Sequence, residues 1–415
     1  MHRTALACAL ALSACCKPAT PPATPTSSGS LGIITVTVNG KEEQKLYVPQ
    51  QSANANGQPT IAVLDAAWDG QTGKPLLGTI ALTNHADQSF ATATAAGDGV
   101  VVAVGYQSVY VDLIDPTTDA VTSTVQLPAS VQGAQPQASF SGGGGLVNGV
   151  VVDPVKHRAI LAVTQGFLPL DLTTHEFGAV VPAAPAENFG FWPDKGWVLA
   201  PFYDCPNCSN SFPVDGMQIV DMNGGKSYLV TDADGGVPFS EPDSADVDTT
   251  TGVVVVPDEG GNIYGANFES LNPSGSSVTA TYEQSPNLSA LTGVAIDPVG
   301  HHAFLESEAA SAVAVLDLPS TTPSGALTLP AVKSAQMPNL PDNSGWVNAG
   351  DPHGLAVSVS LLSGNPVGFV ENDDSSWVAR IDLDGFANAP VDSSGTVAAK
   401  DFNPLVTLIP ALPSP

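Results

Sequence analysis

"GVAIDPVGHHAFLESEAASAVAVLDL", residues 293–318, is the stretch on which the fold turns. Its first half recurs as "GVVVDPVKHRAILA" at residues 149–162, and the two copies begin 144 residues apart. That separation is three periods of about 48 residues, so a structural repeat is the first reading and has to be settled before any ligand is sought. Adjacent His301 and His302 beside acidic side chains invite a metal site. Yet His157 and Arg158 stand at the same place in the earlier copy. Equivalent turns of a ring of repeats lie far apart, so these histidines are expected as turn residues rather than ligands.

The repeat runs through the whole chain. Short β-rich runs ending in an acid or amide are "IAVLD" at Asp65, "VDLID" at Asp115, "FLPLD" at Asp171, "MQIVD" at Asp221, "IYGAN" at Asn267, "VAVLD" at Asp317 and "VARID" at Asp382. Each follows another β-run, such as "KLYVP", "AILAVTQ", "VVVVPDE" or "GFVEN", and turns such as "DPVKH", "DTTTG" and "DPVGH" precede several of these. Asp, Pro and Gly there supply the chemistry of tight turns. Each unit therefore reads strand, turn, strand, loop, strand, turn, strand. An isolated four-stranded meander leaves both faces uncovered, whereas radial packing buries the faces and leaves short edges. The expected fold is all-β: one seven-bladed β-propeller of four-stranded antiparallel blades over residues 31–415. "GIITVTV", residues 32–38, is the first inner strand, and "PLVTLI", residues 404–409, is expected to pair within the last blade.

On these residues the chain resembles the YVTN-type repeat propellers of bacterial envelope proteins, whose unit runs like residues 293–318. The resemblance extends from residue 31 to about 409 and implies a fold more than a function. WD-type propellers fit less well, since no Gly-His and Trp-Asp pairs recur.

Composition narrows the function. Charged residues make up 13% of the chain and the net charge is −28, so the molecule repels nucleic-acid phosphates and anionic lipid. No nucleic-acid partner is expected. "MHRTALACALALSACCKPAT" has a basic start, a short apolar run and small residues before Cys15, the pattern of a secretory signal too short to span a bilayer. Leu12-Ser13-Ala14-Cys15 resembles the bacterial lipobox, which implies a signal peptide over 1–14 and a lipid on Cys15; a plain signal peptide with incidental cysteines is the other reading. By analogy with Gram-negative sorting, no Asp following the lipidated cysteine implies the outer membrane. Residues 15–30, rich in Pro, Thr and Ser, form a tether. The expected location is the cell envelope, lipid-anchored at the outer membrane or in the periplasm, with the anchor as its one membrane contact.

Chain direction sorts the polar residues. The face where inner strands begin also receives Asp258, Glu259, Glu306, Glu308, Glu371, Asp373 and Asp374. They form either a solvated acidic surface or a site for a cation, since carboxylates and carbonyls suit Ca²⁺. Residues opening the inner strands or just before them, Asn148, Asn188, Glu241, Asp243, Thr292, Asp351 and His353, are the expected channel-mouth pocket. Asp243 and Asp351 are its candidate metal ligands. Cys205-Pro206-Asn207-Cys208 lies in a long loop. A zinc site needs a second pair, and a redox dithiol usually opens a helix, so a loop-stapling disulfide is the expectation in an oxidising compartment. No Gly-x-Ser-x-Gly elbow occurs, and "SGGGGLVNG" lacks the Lys-Ser/Thr of a phosphate loop. Two function classes remain open. One is a non-catalytic binding or scaffold module for a protein, glycan, peptide or cationic ligand on the acidic face. The other is a metal-dependent hydrolase resembling the gluconolactonase-type propellers.

Overall fold

A computed structural model describes residues 31–50, 58–82, 91–105, 108–132, 147–186, 188–202, 215–232, 238–274, 277–279, 283–286, 291–307, 311–324, 327–338, 354–371 and 377–410. Seven antiparallel sheets follow one another along the chain. Blade one comprises Gly32–Val38, Lys41–Gln50, Thr60–Asp65 and Leu76–Ala81; blade two, Ala91–Gly97, Val100–Gly105, Tyr110–Asp115 and Ala120–Gln126. Blade three comprises Val147–Asp153, Arg158–Val163, Gly166–Asp171 and Val181–Pro182; blade four, Gly190–Trp192, Trp197–Phe202, Gly216–Asp221 and Lys226–Thr231. Blade five has Asp246–Asp248, Val253–Pro257, Asn262–Asn267 and Glu283–Pro286; blade six, Leu291–Asp297, His302–Ser307, Ala312–Asp317 and Lys333–Gln336. Blade seven has Leu355–Val359, Pro366–Glu371, Trp377–Asp382 and Val406–Pro410. First strands of successive blades touch one another all the way round, and the first strand of blade seven touches that of blade one, so they line a central channel. The fold is a closed seven-bladed propeller.

The repeated sequence marks have local causes. In blades three, five and six an aspartate ends the inner strand and accepts backbone N–H groups of the turn it opens: Asp153 from Val155 and Lys156, Asp248 from Thr250 and Thr251, Asp297 from Val299 and Gly300. Four residues later the backbone becomes left-handed, at His157, Gly252 and His301, as it does at Gly196 and Gly364, four residues after Trp192 in blade four and after Ser360 in blade seven. Glycine meets that geometry without a Cβ clash. Two blades use histidine instead. Blades one and two have two-residue turns, Asn39-Gly40 and Asp98-Gly99, with positive φ at both positions, the form that matches strand twist. The acids and amides ending third strands are also turn builders: Asp65, Asp115, Asp171, Asp221 and Asn267 each accept the N–H two residues on.

One apolar layer fills each blade interface. Leu31, Leu46 and Leu64 of blade one meet Ala356, Phe369 and Ile409 of blade seven across the closing seam. The same alternation of inward-facing residues builds the other six layers. Because each sheet's four strands come from one stretch of chain, closure rests on this packing and on Gln44, whose Nε2 donates to Ser358 Oγ at 3.0 Å and to the Val359 carbonyl at 2.8 Å. As the sequence indicates, the C-terminal run pairs with Trp377–Asp382.

Two elements go beyond a plain ring. Ser277–Thr279, from the blade-five unit, pairs in parallel with Leu229–Thr231 as a fifth strand of the blade-four sheet. Between the last two strands of blade seven, helices Leu383–Asn388 and Ala399–Phe402 pack against blade six. The insertion is tied there by Val397 N–H donating to the Ser334 carbonyl at 2.8 Å. No described helix is long and apolar enough to cross a membrane.

Candidate functional site

The channel has two ends, and their chemistry differs. At the end where inner strands begin, blades three to six contribute Asn148, half-buried, and Asn188, Asp243 and Thr292, all buried. Glu241 is exposed and has a left-handed backbone, φ 53°. Asp351 and His353 lie outside the described residues, as do Glu308, Asp373, Asp374, Cys15, Cys205 and Cys208. These four residues, Asn148, Asn188, Asp243 and Thr292, stand at or just before the starts of inner strands, and three of the four are enclosed rather than lining an open basin.

The acids on that face are not a uniformly solvated surface either: Asp258 is 0%, Glu306 2% and Glu371 8% exposed. Asp258 accepts the N–H groups of Ser240 and Asn262. Burial, with Asp258 close by, raises the Tyr264 hydroxyl to about 12, so the phenol stays protonated. Glu306 and Glu371 lie over inner-strand glycines of their own blades. A Cβ on Gly293 would sit 2.7 Å from Glu306 Oε1, and one on Gly354 would sit 2.7 Å from Glu371 Cβ. These carboxylates fit because those positions are glycine. Sequence patterning placed them on the right face; only packing shows them turned inward over the strand.

Neighbouring inner strands diverge too much to form a continuous sheet, so side chains satisfy part of their backbone. Thr94 Oγ1 accepts the Gly32 N–H at 2.9 Å, Ser244 Oγ the Val294 N–H at 3.2 Å, and Asp246 Oδ2 the Ile296 N–H at 2.7 Å. Each bond crosses from one blade to the next. Buried polar residues in the channel wall are therefore partly structural.

The histidines close blade seams at the opposite end. His157 Nδ1 lies 2.7 Å from Asp98 Oδ2 of blade two, and His301 Nδ1 lies 2.7 Å from Asp248 Oδ2 of blade five. Asp98 raises His157 above the ordinary histidine range, through the hydrogen bond first and charge second. His302 instead spans Asp317 and Asp384, at 3.0 and 3.1 Å. The His301-His302 pair thus faces two separate sets of acids, as turn and seam residues. Among the described residues no three His, Cys, Asp or Glu side chains are grouped to hold a metal ion.

Sequence reasoning missed two concavities. A cavity of about 330 Å³ opens at this second channel end among the first turns of blades two to six, lined by Ala96, Asp98, Val152, Pro154, Asp194, Ile296 and neighbours. A groove of about 570 Å³ runs along the seam of blades one and seven, with Glu43, Asp65, Trp68, Leu361 and Leu362 in its walls. The repeated Pro-Val of "DPVKH" and "DPVGH" was the available signal for the first, since Pro154, Val155 and Pro298 line it.

The comparisons bear on the fold. No protein-family model matches the chain, and no curated protein matches it in sequence. Among solved structures it is similar to Kuenenia stuttgartiensis hydrazine synthase, at 14% identity over 75% of this chain and 83% of that one, TM-score 0.50. It is also similar to the Cps50 (Swd1) β-propeller domain of Myceliophteria thermophila, at 9% identity over 71% and 84% of the two chains, TM-score 0.49. At such identities likeness speaks to fold alone; the seven-bladed propeller rests on the strand order and blade contacts of this chain itself.

Proposed function

We propose that this chain is an envelope-anchored, extracytoplasmic propeller of the YVTN type that binds a protein, glycan or peptide at the channel end where its inner strands begin. What supports this reading is that Asn148, Asn188, Asp243 and Thr292 stand at or just before the starts of the inner strands of four consecutive blades, and so at one end of the channel. Polar groups that separate repeats place at the same channel end have no shared role in any one blade's turns, and recognition sites draw on such groups. Acids outnumber bases 40 to 12 in the chain, so a ligand carrying positive charge is favoured on approach. Cys15 carries the lipid and residues 15–30 hold the ring off the membrane; Cys205 and Cys208 staple their loop.

Calcium ion is the simplest probe of that end, with Asp243 and Asp351 as its carboxylate ligands and the side-chain oxygens of Asn148, Asn188 and Thr292 as further donors toward the roughly six to eight it takes. Thermal melting in millimolar calcium is expected to show a raised midpoint, because a ligand held only by the folded ring stabilises it by mass action. Asp243→Asn is expected to abolish the rise. An unchanged midpoint in the unsubstituted protein removes calcium from the reading; a rise that survives Asp243→Asn moves the ion elsewhere. The anchor is tested by fractionation: Cys15→Ser should transfer the chain from the membrane to the soluble envelope fraction, and retention on the membrane would refute lipidation at Cys15.

A further inference from the structure

The cavity at the other channel end has a composition that selects its ligand. Its mouth is built from the first turns of five blades: Asp98 of blade two, Pro154 and Val155 of blade three, Pro193 and Asp194 of blade four, Thr249 of blade five and Pro298 of blade six. Its deeper wall is apolar, from Ala96, Val152, Val247 and Ile296. No Lys or Arg is among the described lining residues. The buried Asp246 in that wall is committed to the N–H groups of Val247 and Ile296. Asp98, whose Oδ2 meets His157 Nδ1 at 2.7 Å, and Asp194 therefore supply the rim's negative charge, Asp194 the larger share, on the two blades that flank Val155.

We infer that this cavity is a binding site for a small organic ammonium ion with an apolar body. The aliphatic part enters among Ala96, Val152, Val247 and Ile296, and the ammonium group stays at the rim with Asp98 and Asp194. Three alternatives fit worse. A calcium ion takes six to eight oxygens, and this rim offers two carboxylates between prolines and valines. An anion meets the carboxylates of Asp98 and Asp194 with no Lys or Arg among the described lining residues, and the nearby His157 is already paired with Asp98. A polyamine would place a second charge against aliphatic walls, where no group compensates its desolvation. The volume, about 330 Å³, lies at the small end of ligand pockets and suits a six-carbon chain or one phenyl ring.

The valines explain a feature the fold leaves open. Nothing in the turn requires an apolar side chain after Asp-Pro, yet Val155 and Val299 stand 54% exposed at equivalent positions. Val155 borders the cavity directly, and Pro298 brings the second turn to the same mouth.

The test uses the whole chain with ¹³C-labelled valine and isoleucine methyls. Hexylammonium is titrated beside 1-hexanol and hexanoate, three probes with the same chain and different heads. Saturable shifts at Val152, Val155, Val247 and Ile296 are expected with hexylammonium. Its affinity should exceed that for hexanol by about tenfold or more, and Asp98→Asn combined with Asp194→Asn should erase that difference while leaving hexanol unchanged. Because Asp98 also holds His157, Asp194→Asn alone is the second variant, expected to weaken hexylammonium in an otherwise unaltered spectrum. Equal affinity for hexanol and hexylammonium overturns the inference. So does hexylammonium perturbing the exposed Val391 no less than Val152, which would mean diffuse attraction to an acidic surface.

Discussion

Asp119→Asn is expected to lower the free energy of unfolding by about 3 kcal/mol. Lys45, in the second strand of blade one, has a side chain only 4% exposed; its Nζ donates to Asp119 Oδ2 at 2.8 Å and to the Pro116 carbonyl at 2.8 Å. Tyr47 Oη donates to Asp119 Oδ1 at 2.6 Å. Burial first, then Asp119, pushes the Tyr47 hydroxyl far above its ordinary value, so it remains a donor at every working pH. One carboxylate of blade two thus compensates a buried ammonium and a buried phenol of blade one. Asparagine keeps the left-handed backbone of residue 119, φ 52°, which Asn tolerates, but it removes the charge and one of the two acceptor oxygens, so Oδ1 can serve Tyr47 or Lys45 but not both. Glu43, 3.9 Å from Lys45 Nζ, is too distant and too wet to replace it. Lys45→Met supplies the check: in that background Asp119→Asn should cost about 1 kcal/mol, since no buried ammonium remains to be stranded. Urea unfolding of the four proteins measures this, and an equal cost in both backgrounds would show that the pair is not coupled.

The second large effect is expected at the seam of blades six and seven. Phe304 is fully buried, and its ring lies so close over Gly368 that a Cβ there would sit 2.7 Å from Cδ1. Phe304→Ala should lower stability by about 3–5 kcal/mol through lost burial and the cavity left behind. Gly368→Ala tests the same contact from the other side. A methyl at that distance must displace the ring or the blade, at about 1–3 kcal/mol. Calorimetry or urea titration decides, and a cost below 1 kcal/mol for Phe304→Ala would show that the seam collapses onto the space.

How much of this was legible beforehand follows from which interactions are local. All seven third strands, from Thr60–Asp65 to Trp377–Asp382, end at the acid or amide that the repeat marks. They could be read because an Asx turn is a bargain between residues two or three apart, such as Asp171 with Thr173 and Thr174. The insertion carrying Leu383–Asn388 was hidden. Its two helices have four and six residues, too short to show an amphipathic period or to stand without blade six beneath them. Likewise, Ser277–Thr279 is a three-residue strand whose existence depends on the exposed edge of blade four.

For the candidate sites the division is sharper. Which face Glu306, Glu371, Asp243 and Thr292 occupy follows from chain direction, since alternation and turn order send the start of every inner strand to one end of the channel. Whether they meet water does not follow, because that depends on Gly293 and Gly354 leaving room over their own strands and on the crossing of the next blade. The second channel end shows the same limit. "DPVKH" and "DPVGH" specify two turns; that Val155 and Pro298 border one cavity, with Asp98 and Asp194 at its rim, required blades two to six to be set side by side. Sequence by itself determined the blade, its turns and the number of repeats, because those are settled by contacts within about fifty residues. The tertiary structure alone decided what the repeats enclose, because a channel belongs to no single repeat and its chemistry is the sum of side chains that are strangers in sequence.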